Sequence, residues 1–348
     1  MSFQSEIVAW YHKNKRDLPW RGTTDPYVIW LSEIILQQTR VEQGLPYFLR
    51  FLENFPNVEA FANATEEKVL KLWQGLGYYS RGRNMLYTAK HIMAHFNGRF
   101  PTVYQDLIKL KGVGAYTAAA IASFSSNEKK AVVDGNVYRV LARYFGIKEP
   151  INTSTGQKMF ALLAQELITD QQSSLYNQAI MEFGALHCKP KLPKCGECPL
   201  RLSCEAFKND QVETLPLKLK KLKIKKRWFN YFVGITDSHI LTRQRKPGDI
   251  WQHLYDFPLI EMEAEHTETN VAFLERVAEI FGKGAHIRHL ESKKHLLTHQ
   301  IIYVNFFAID NYIINFNQSA EVKSVKIKAF KQLPHPKIIG DFIEKHID

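Results

Sequence analysis

Apolar residues recur at helical spacing through most of the first 208 residues. This pattern predicts helices over residues 27–41, 66–73, 83–96, 117–123, 137–145, 157–167 and 174–187. Asp25 and Pro26 precede the first of these segments, as an N-cap and a first helical residue. Glycine-rich breaks at 75–77 and 112–114 separate neighbouring segments. The first part of the chain is therefore predicted to be mostly α-helical.

Beyond residue 227 the pattern changes to one that favours β-strands. Strands are predicted over 228–236, 240–242 and 299–309, with one helix over 270–281. We therefore predict a helical region at 1–210, a linker at 211–227 and a smaller α+β domain at 228–348. The chain has 348 residues, 45% of them hydrophobic, which is enough for a core in each domain.

The sequence carries no sign of a membrane segment. No stretch approaches the roughly 20 continuous apolar residues of a membrane helix, and residues 1–20 contain no apolar signal-peptide core. We expect a soluble, cytoplasmic protein.

The chain is strongly basic, with a formal net charge of +11. Such an excess favours a polyanionic partner such as nucleic acid, because lysines and arginines that neutralise phosphates release counterions. A basic protein without such a partner is the alternative. Seven of the ten residues at 218–227 are basic, so this segment is either a DNA-facing linker or a solvated tether.

Four cysteines lie close together, in the pattern Cys188-x6-Cys195-x2-Cys198-x5-Cys204. Disulfides are expected to tie distant loops, so thiols at this spacing indicate a metal or cluster site. Four thiolates hold either zinc or an iron–sulfur cluster. Zinc ribbons usually have two separated CxxC pairs, and the single pair here favours the cluster, with zinc as the alternative.

Two further motifs combine glycines and an acid. Gly112 and Gly114 flank one apolar residue between helical segments, which favours a tight hairpin whose backbone N–H groups bind a DNA phosphate. An ordinary helix–helix turn is the alternative. Asp134 follows an apolar run and precedes a glycine, as expected at the mouth of a cleft. Its alternative role is the N-cap of the next helix.

Glu33 lies in a helical segment among mainly apolar neighbours. A carboxyl in such surroundings tends to have a raised pKa and is able to act as an acid. The alternative is an ordinary solvated glutamate. Gln37, Gln38 and Thr39 follow it at the helix end, and the long amides suit hydrogen bonds to base edges.

Taken together, these motifs resemble adenine DNA glycosylases of the MutY family. The resemblance spans about residues 5–205 and is carried by segments 32–39, 75–81, 110–114, 133–137 and the four-cysteine loop. It implies a helix-hairpin-helix glycosylase with one 4Fe–4S cluster on the four cysteines. The C-terminal part is similar, more loosely, to the family's Nudix-like domain through residues 251–258.

The resemblance implies a role for each candidate residue. Glu33 would protonate the departing adenine at N7, and Asp134 would stabilise the oxocarbenium-like sugar or attack it. Asn136 and Tyr116 would hold these groups and the nucleophile. The adenine pocket would be lined by Arg16, Trp20, Arg21, Leu36, Val41, Gln178 and Met181.

Other residues would read the opposite strand. Gln38 and Tyr78 would enter the duplex near an oxidised guanine, although core packing is the alternative for Tyr78 and Tyr79. Thr298 and His299 would contact that guanine. Residue 297 is leucine where the family often has phenylalanine, so an aromatic stack is lost, and a strand-end histidine is the alternative.

The C-terminal part lacks a pyrophosphatase signature, because the helix around residues 275–279 has no clustered glutamates to hold magnesium. We interpret it as a recognition module.

The implied activity is removal of adenine opposite 8-oxoguanine or guanine in double-stranded DNA, by a monomer that leaves an abasic site. One alternative is an endonuclease III-like glycosylase and lyase acting on oxidised pyrimidines. Enzymes of that family carry a lysine two residues after the second hairpin glycine, where this chain has Tyr116. A phenol cannot form an imine, so a monofunctional enzyme is expected. The other alternative is a non-catalytic iron–sulfur protein that binds DNA.

Overall fold

The computed structural model describes residues 2–168, 172–219, 224–265, 269–313 and 322–347. The chain divides into two compact units. One, the helical unit, comprises Met1–Ala64 and Asn84–Lys220, and the other, the mixed unit, comprises Thr65–Arg83 and Lys221–Asp348. No helix within the described residues is long and apolar enough to cross a membrane.

Helices dominate the chain as far as residue 208. Their bounds are α1 Phe3–Asn14, α2 Pro26–Ile35, α3 Val41–Asn54, α4 Val58–Ala62, α5 Glu66–Trp73, α6 Ser80–His95, α7 Tyr104–Leu107, α8 Ala115–Ser126, α9 Gly135–Tyr144, α10 Ser154–Leu167, α11 Ser173–Leu186 and α12 Glu205–Lys208. Short 3₁₀ helices at Cys195–Glu197 and Arg201–Ser203 lie within the cysteine loop. The α5 helix and the first turn of α6 belong to the mixed unit.

The α2 helix begins as predicted and ends earlier than predicted. The Asp25 side chain accepts a hydrogen bond of 2.9 Å from the Tyr27 amide, and Pro26 follows the cap. The predicted helix over 27–41 breaks after Ile35, because Gln38 adopts a left-handed backbone with φ 56°. The α3 helix then begins at Val41, the last residue of the predicted segment.

The core of the helical unit lies where α11 packs against α1 and α9, and α2 packs against α8. Ile7, Leu141 and Phe160 are fully buried there, as is Ile35 in α2. These contacts fix the inner faces of α2, α8, α9 and α11 relative to one another.

The mixed unit contains two sheets and three further helices. Their bounds are β1 Lys225–Val233, β2 Ile235–Thr236, β3 His239–Gln244, β4 Tyr255–Asp256, β5 Leu259–Met262, α13 Val271–Phe281, β6 His286–Leu296, β7 Gln300–Asp310, β8 Val322–Lys326, α14 Ile327–Phe330 and α15 Lys337–His346. One sheet has the order β5-β1-β7-β6, with β1 parallel to β7, and in the other β2, β4 and β8 pair with β3. Helices cover both faces of the first sheet, since Phe342 of α15 stacks on Phe306 at 4.0 Å and Phe281 of α13 packs on Phe232 at 4.9 Å.

The strand β1 begins at Lys225, three residues before the predicted start, because its first residues pair with β7. The last three residues of the predicted basic linker are therefore in a strand. Lys220, Lys221 and Lys223 lie outside the described residues. The α5 segment joins the same unit through hydrogen bonds from Lys71 Nζ to the carbonyls of Lys331 (2.7 Å) and Leu333 (3.0 Å).

Candidate active site

A cavity of about 490 Å³ in the helical unit brings together the four residues predicted to be catalytic. Glu33 comes from α2, Tyr116 from the first turn of α8, and Asp134 and Asn136 from the start of α9. Its volume lies within the range of small-molecule sites, roughly 300–1,000 Å³. Within the part of the chain that the structure describes, no lysine lines this cavity.

Glu33 is a buried carboxyl, 8% exposed. The Tyr116 hydroxyl donates to its Oε2 at 2.5 Å. Burial raises the pKa of Glu33 to about 7, against the opposing effect of the Tyr116 hydrogen bond. The negative charge of Asp134 raises the Glu33 pKa further, and Arg21 lowers it. A carboxyl with this pKa carries a proton in a large fraction of molecules at neutral pH.

Asp134 lines the cavity and also caps α9, so it occupies both positions that its sequence context allowed. Its Oδ1 caps α9 by accepting hydrogen bonds from the amides of Asn136 (2.9 Å) and Val137 (2.8 Å). Its Oδ2 accepts a bond of 2.6 Å from the Asn136 side-chain amide. Burial raises the pKa of Asp134, while the Val137 and Asn136 hydrogen bonds lower it. The carboxyl is thereby fixed at the cavity wall.

Sequence reasoning missed Glu182, a fully buried carboxyl on α11 that also lines the cavity. It accepts hydrogen bonds of 2.9 and 2.8 Å from Arg16 and one of 2.7 Å from Arg21. Despite burial, which opposes ionisation, these arginine bonds lower the pKa of Glu182 to about 2. The signal was available, since an acid in the apolar segment 179–186 needs a buried partner.

The predicted pocket residues do line this cavity. All seven predicted residues do so, namely Arg16, Trp20, Arg21, Leu36, Val41, Gln178 and Met181, and Thr39, which was predicted as a DNA contact, lines it as well. Gln178 is held by Tyr11, whose hydroxyl donates to its Oε1 at 2.9 Å. The cavity thus combines an apolar wall with a few oriented polar groups, the usual composition of a site for a small aromatic ligand.

Gln37, Gln38, Gly112 and Gly114 do not line the cavity. The Gln37 side chain donates to the Thr117 hydroxyl at 3.2 Å, and Gln38 is exposed. Gly112 has φ 80°, and a Cβ there would lie 2.9 Å from the Cβ of Asn84, so the hairpin requires glycine. Gly114 has open space around it and forms the N-cap of α8.

The four cysteines are half-buried free thiols in the loop that follows α11. Burial, together with the charges of the three other cysteines, raises the pKa of Cys198 to about 12. The Arg143 guanidinium donates to the Cys188 sulfur at 3.4 Å. The four thiols are therefore electrostatic neighbours, and neighbouring thiols beside an arginine fit a group that binds thiolates. Among the described residues, no three or more His, Cys, Asp or Glu side chains are arranged around a single ion.

A buried arginine links this loop to the catalytic carboxyl. Arg139 donates to the Cys188 carbonyl at 2.7 Å, to the Gly184 carbonyl at 2.6 Å and to Asn136 Oδ1 at 2.9 Å. Asn136 in turn holds Asp134. A chain of hydrogen bonds therefore connects the cysteine loop to Asn136 and Asp134.

The mixed unit contains a cavity of about 450 Å³ that is lined by Tyr78, Thr298 and His299. The Tyr78 hydroxyl forms a short hydrogen bond with the Thr298 hydroxyl. Tyr78 is 44% exposed with φ 48°, so core packing does not explain it. Core packing does explain Tyr79, which is 3% exposed and donates to the His335 carbonyl at 3.1 Å.

Comparison with known proteins identifies both domains. Residues 31–165 match the HhH-GPD superfamily of base excision DNA repair proteins, and residues 230–345 match the NUDIX domain. An adenine DNA glycosylase of Buchnera aphidicola subsp. Baizongia pistaciae is 35% identical over 307 residues, covering 87% of this chain and 84% of the relative. That of Buchnera aphidicola subsp. Schizaphis graminum is 40% identical over 271 residues, covering 76% of this chain and 77% of the relative.

The chain belongs to the adenine DNA glycosylase family. Members of this family are hydrolases that act on N-glycosyl bonds, so the prediction of an enzyme is confirmed over that of a non-catalytic DNA-binding protein. The predicted fold class, a helix-hairpin-helix glycosylase followed by a Nudix-like α+β domain, is also confirmed. A solved structure of a thermostable thymine-DNA glycosylase covers 60% of this chain and 95% of its own, with TM-score 0.56 and 30% identity.

Proposed function

We propose that this adenine DNA glycosylase family member removes adenine that is paired with 8-oxoguanine or guanine in double-stranded DNA, and leaves an abasic site. The observation that carries the proposal is the pairing of Glu33, with a pKa of about 7, and Asp134 across one cavity. Two carboxyls in different environments are what glycosidic cleavage needs, one as a proton donor and one facing the anomeric carbon.

Glu33 acts as the general acid in this proposal. Its proton passes to a ring nitrogen of the flipped adenine, so that the base leaves as a neutral molecule. The Tyr116 hydroxyl, which donates to Oε2, orients the carboxyl and stabilises the carboxylate that remains after transfer. Because burial raises the pKa of Glu33 to about 7, a large fraction of the molecules hold this proton at neutral pH when the base enters the cavity.

Asp134 stabilises the positive charge that develops on the sugar as the glycosidic bond breaks. Its two oxygens are held by Asn136 and by the α9 amides, so the carboxylate needs no reorientation during the reaction. Water, or a transient adduct with Asp134 that water resolves, then completes the substitution at the anomeric carbon.

The lysine-free lining of the cavity supports a monofunctional enzyme. The position that holds the lysine in lyases is Tyr116, which is engaged with Glu33. Lys111, the lysine of the hairpin, lies 4.4 Å from the centre of the Tyr87 ring and is absent from the cavity lining. Without an amine near the sugar, no imine forms and the strand is not cleaved by elimination.

We also propose that the four cysteines hold one 4Fe–4S cluster. The four neighbouring, half-buried thiols and the adjacent Arg143 support this assignment. When bound, such a cluster supplies a rigid anchor for the loop at 189–203, with redox chemistry as its general capability. The protein's own contribution is the Arg139 bridge, which transmits the loop's position to Asn136.

Recognition of the opposite base is assigned to Tyr78, Thr298 and His299. The Tyr78–Thr298 hydrogen bond supports this, because it brings an exposed aromatic ring and a hairpin tip to one cavity. The backbone N–H groups of the hairpin at Gly112 and Gly114 would bind a DNA phosphate. Gln38 is exposed and would contact the duplex. The monomeric state and the cytoplasmic location stay predictions.

A panel of duplexes tests the substrate assignment. Adenine opposite 8-oxoguanine, adenine opposite guanine, adenine opposite thymine and thymine glycol opposite adenine are incubated with equal amounts of enzyme, followed by alkali. We expect product from the first two substrates only, and faster from the first. Product from thymine glycol would instead support the endonuclease III-like alternative.

A further inference from the structure

A second cavity in the mixed unit, of about 620 Å³, has a strongly basic lining. We call it the basic cavity. Its charged residues are Lys225, Arg227, Arg243, Arg245, Lys246 and Asp249. Five cations face one carboxylate, an arrangement that favours an anionic ligand.

The basic cavity lies beside the hairpin tip that carries Thr298 and His299. The Lys225 amide donates to the His299 carbonyl at 3.1 Å, and Lys225 pairs with Gln300 in the sheet. Arg227 donates to the Gln300 side chain at 3.3 Å. Gln300, which lines the basic cavity, therefore directly follows His299, a proposed contact of the opposite base.

The arginines of the basic cavity are held in place by hydrogen bonds to carboxylates. Arg227 makes two bonds of 2.7 Å to Glu261, and Arg243 donates to Asp256 at 2.9 Å. Arg245 donates to Asp256 at 2.7 Å and also binds Asp249. Because these guanidinium groups are already ordered, a ligand that binds them pays little side-chain entropy.

Arg245 is the most buried of these cations, at 4% exposed. Its guanidinium lies 5.3 Å from the Phe229 ring centre and 5.5 Å from that of Trp251. Its Nε has no hydrogen-bond partner among the described residues. Arg245 therefore contributes a buried positive charge to the cavity lining, and such a charge is stabilised further by an anion that enters the cavity.

Two exposed lysines complete the rim. Lys225 forms no ion pair within the described residues, and Lys246 lies in the turn after β3. Compact ammonium groups of this kind contact phosphates as point charges.

We propose that the basic cavity binds a phosphate group, and that this is a backbone phosphate of the DNA strand whose base contacts Thr298 and His299. Only the choice of strand rests on the proposed function. The cavity would then fix the position of that strand while the hairpin tip reads the base, in the usual division between positioning and reading contacts. The phosphates of a free nucleotide share this chemistry, and the experiments below separate the two sources.

The first experiment measures DNA affinity as a function of salt, with the full-length, cluster-loaded protein. The probe is a duplex with uncleavable 2′-fluorinated deoxyadenosine opposite 8-oxoguanine. The double variant Lys225→Gln/Lys246→Gln is expected to bind about tenfold more weakly. The plot of log K against log salt should also be shallower, by about 1–2 in the magnitude of its slope. Both lysines are exposed, so an unchanged melting temperature serves to verify folding.

Lys283→Gln is the matched control, because this exposed lysine precedes β6, at the end of the strand away from the Thr298 tip. Its affinity and slope should equal those of the unmodified protein. Equal affinity and slope for the double variant as well would overturn the proposal. These are binding measurements, so they stand even if no adenine is released from any duplex.

The second experiment identifies the source of the phosphate. Methylphosphonates neutralise single phosphates in turn along the 8-oxoguanine strand. One or two positions near the lesion should weaken binding by the unmodified protein and have no further effect on the double variant. Calorimetry with inorganic pyrophosphate, without DNA, forms the other arm. Pyrophosphate binding that is lost in the double variant, with no methylphosphonate effect specific to the unmodified protein, would refute the DNA assignment in favour of a free nucleotide.

Discussion

The Tyr116 hydroxyl donates a hydrogen bond of 2.5 Å to Oε2 of Glu33, and this bond lowers the Glu33 pKa while burial raises it. The balance leaves the pKa at about 7. Tyr116 therefore tunes the acid as well as positioning it. Both groups line the same cavity as Asp134, as the proposed mechanism requires of a proton donor and a stabilising carboxylate.

Replacing Glu33 by glutamine should remove the acid and keep its shape. We expect adenine excision to fall by about 10²–10⁴-fold, because the amide has no proton to give. Affinity for a duplex with adenine opposite 8-oxoguanine should change little. Single-turnover rates and equilibrium binding measure the two effects. Excision within tenfold of the unmodified enzyme would remove Glu33 from the mechanism.

The stability of the same variant relative to the unmodified protein should increase with pH. Glu33 has a folded pKa of about 7, above its ordinary value of 4.5, so its contribution is full below pH 4.5 and is lost as pH rises through 7. Glutamine does not titrate and shows no such loss. The unfolding free energy of the variant minus that of the unmodified protein should therefore be about 3 kcal/mol larger at pH 9 than at pH 4. Denaturant unfolding of both proteins at the two pH values measures this difference. A difference that is larger at pH 4 would contradict the raised pKa.

The rate of adenine excision should follow a bell-shaped pH profile. Excision needs protonated Glu33, so the rate should fall as pH rises above about 7. It also needs ionised Asp134, whose pKa is raised by burial, so the acid limb should lie above the ordinary aspartate value of 3.8.

Tyr116→Phe sharpens this test. The substitution removes a hydrogen bond that favours ionised Glu33, so the alkaline limb should move to higher pH even though the maximum rate falls. Single-turnover rates across the pH range measure the shift. Movement of this limb to lower pH would show that Tyr116 does not stabilise the carboxylate.

Borohydride trapping tests the absence of a lyase. No lysine among the described residues lines the cavity, so incubation with borohydride and adenine opposite 8-oxoguanine should give little covalent complex. A bifunctional endonuclease III-like enzyme, with its thymine glycol substrate, is the positive control. Strong trapping by the unmodified protein would mean that an amine reaches the sugar.

The metal assignment is checked by elemental analysis and absorbance. We expect about four iron atoms per chain, with broad absorbance in the visible range, and loss of both in Cys198→Ser. Lys191→Gln, in the same loop and exposed, is the control. An active protein that contains one zinc ion and no iron would contradict the cluster.

The helices and the acids were accessible from sequence, since spacing and caps are local properties. The α5 helix matches its predicted range, and Asp25 caps α2. The break after Ile35 was not predicted, because the spacing of apolar residues does not show that one residue, Gln38, adopts a left-handed backbone conformation. Glu182 was missed because its arginine partners lie more than 160 residues earlier in the chain.

The burial of Tyr78 and Tyr79 was likewise not predictable from the sequence. These adjacent residues differ in burial. Tyr78 is exposed, whereas Tyr79 is buried and donates to the His335 carbonyl. A local pattern does not distinguish them, since they contact Thr298 and His335, which lie more than 200 residues later in the chain.

Release of free adenine tests the central claim most directly. A duplex with adenine opposite 8-oxoguanine is incubated with the unmodified protein or with Glu33→Gln, and adenine and strand breaks are quantified before and after alkali. We predict that the unmodified protein releases one adenine per abasic site, with the strand intact until alkali is added, and that Glu33→Gln releases almost none. Adenine that stays in the DNA, or strand cleavage without alkali, would contradict the proposed reaction.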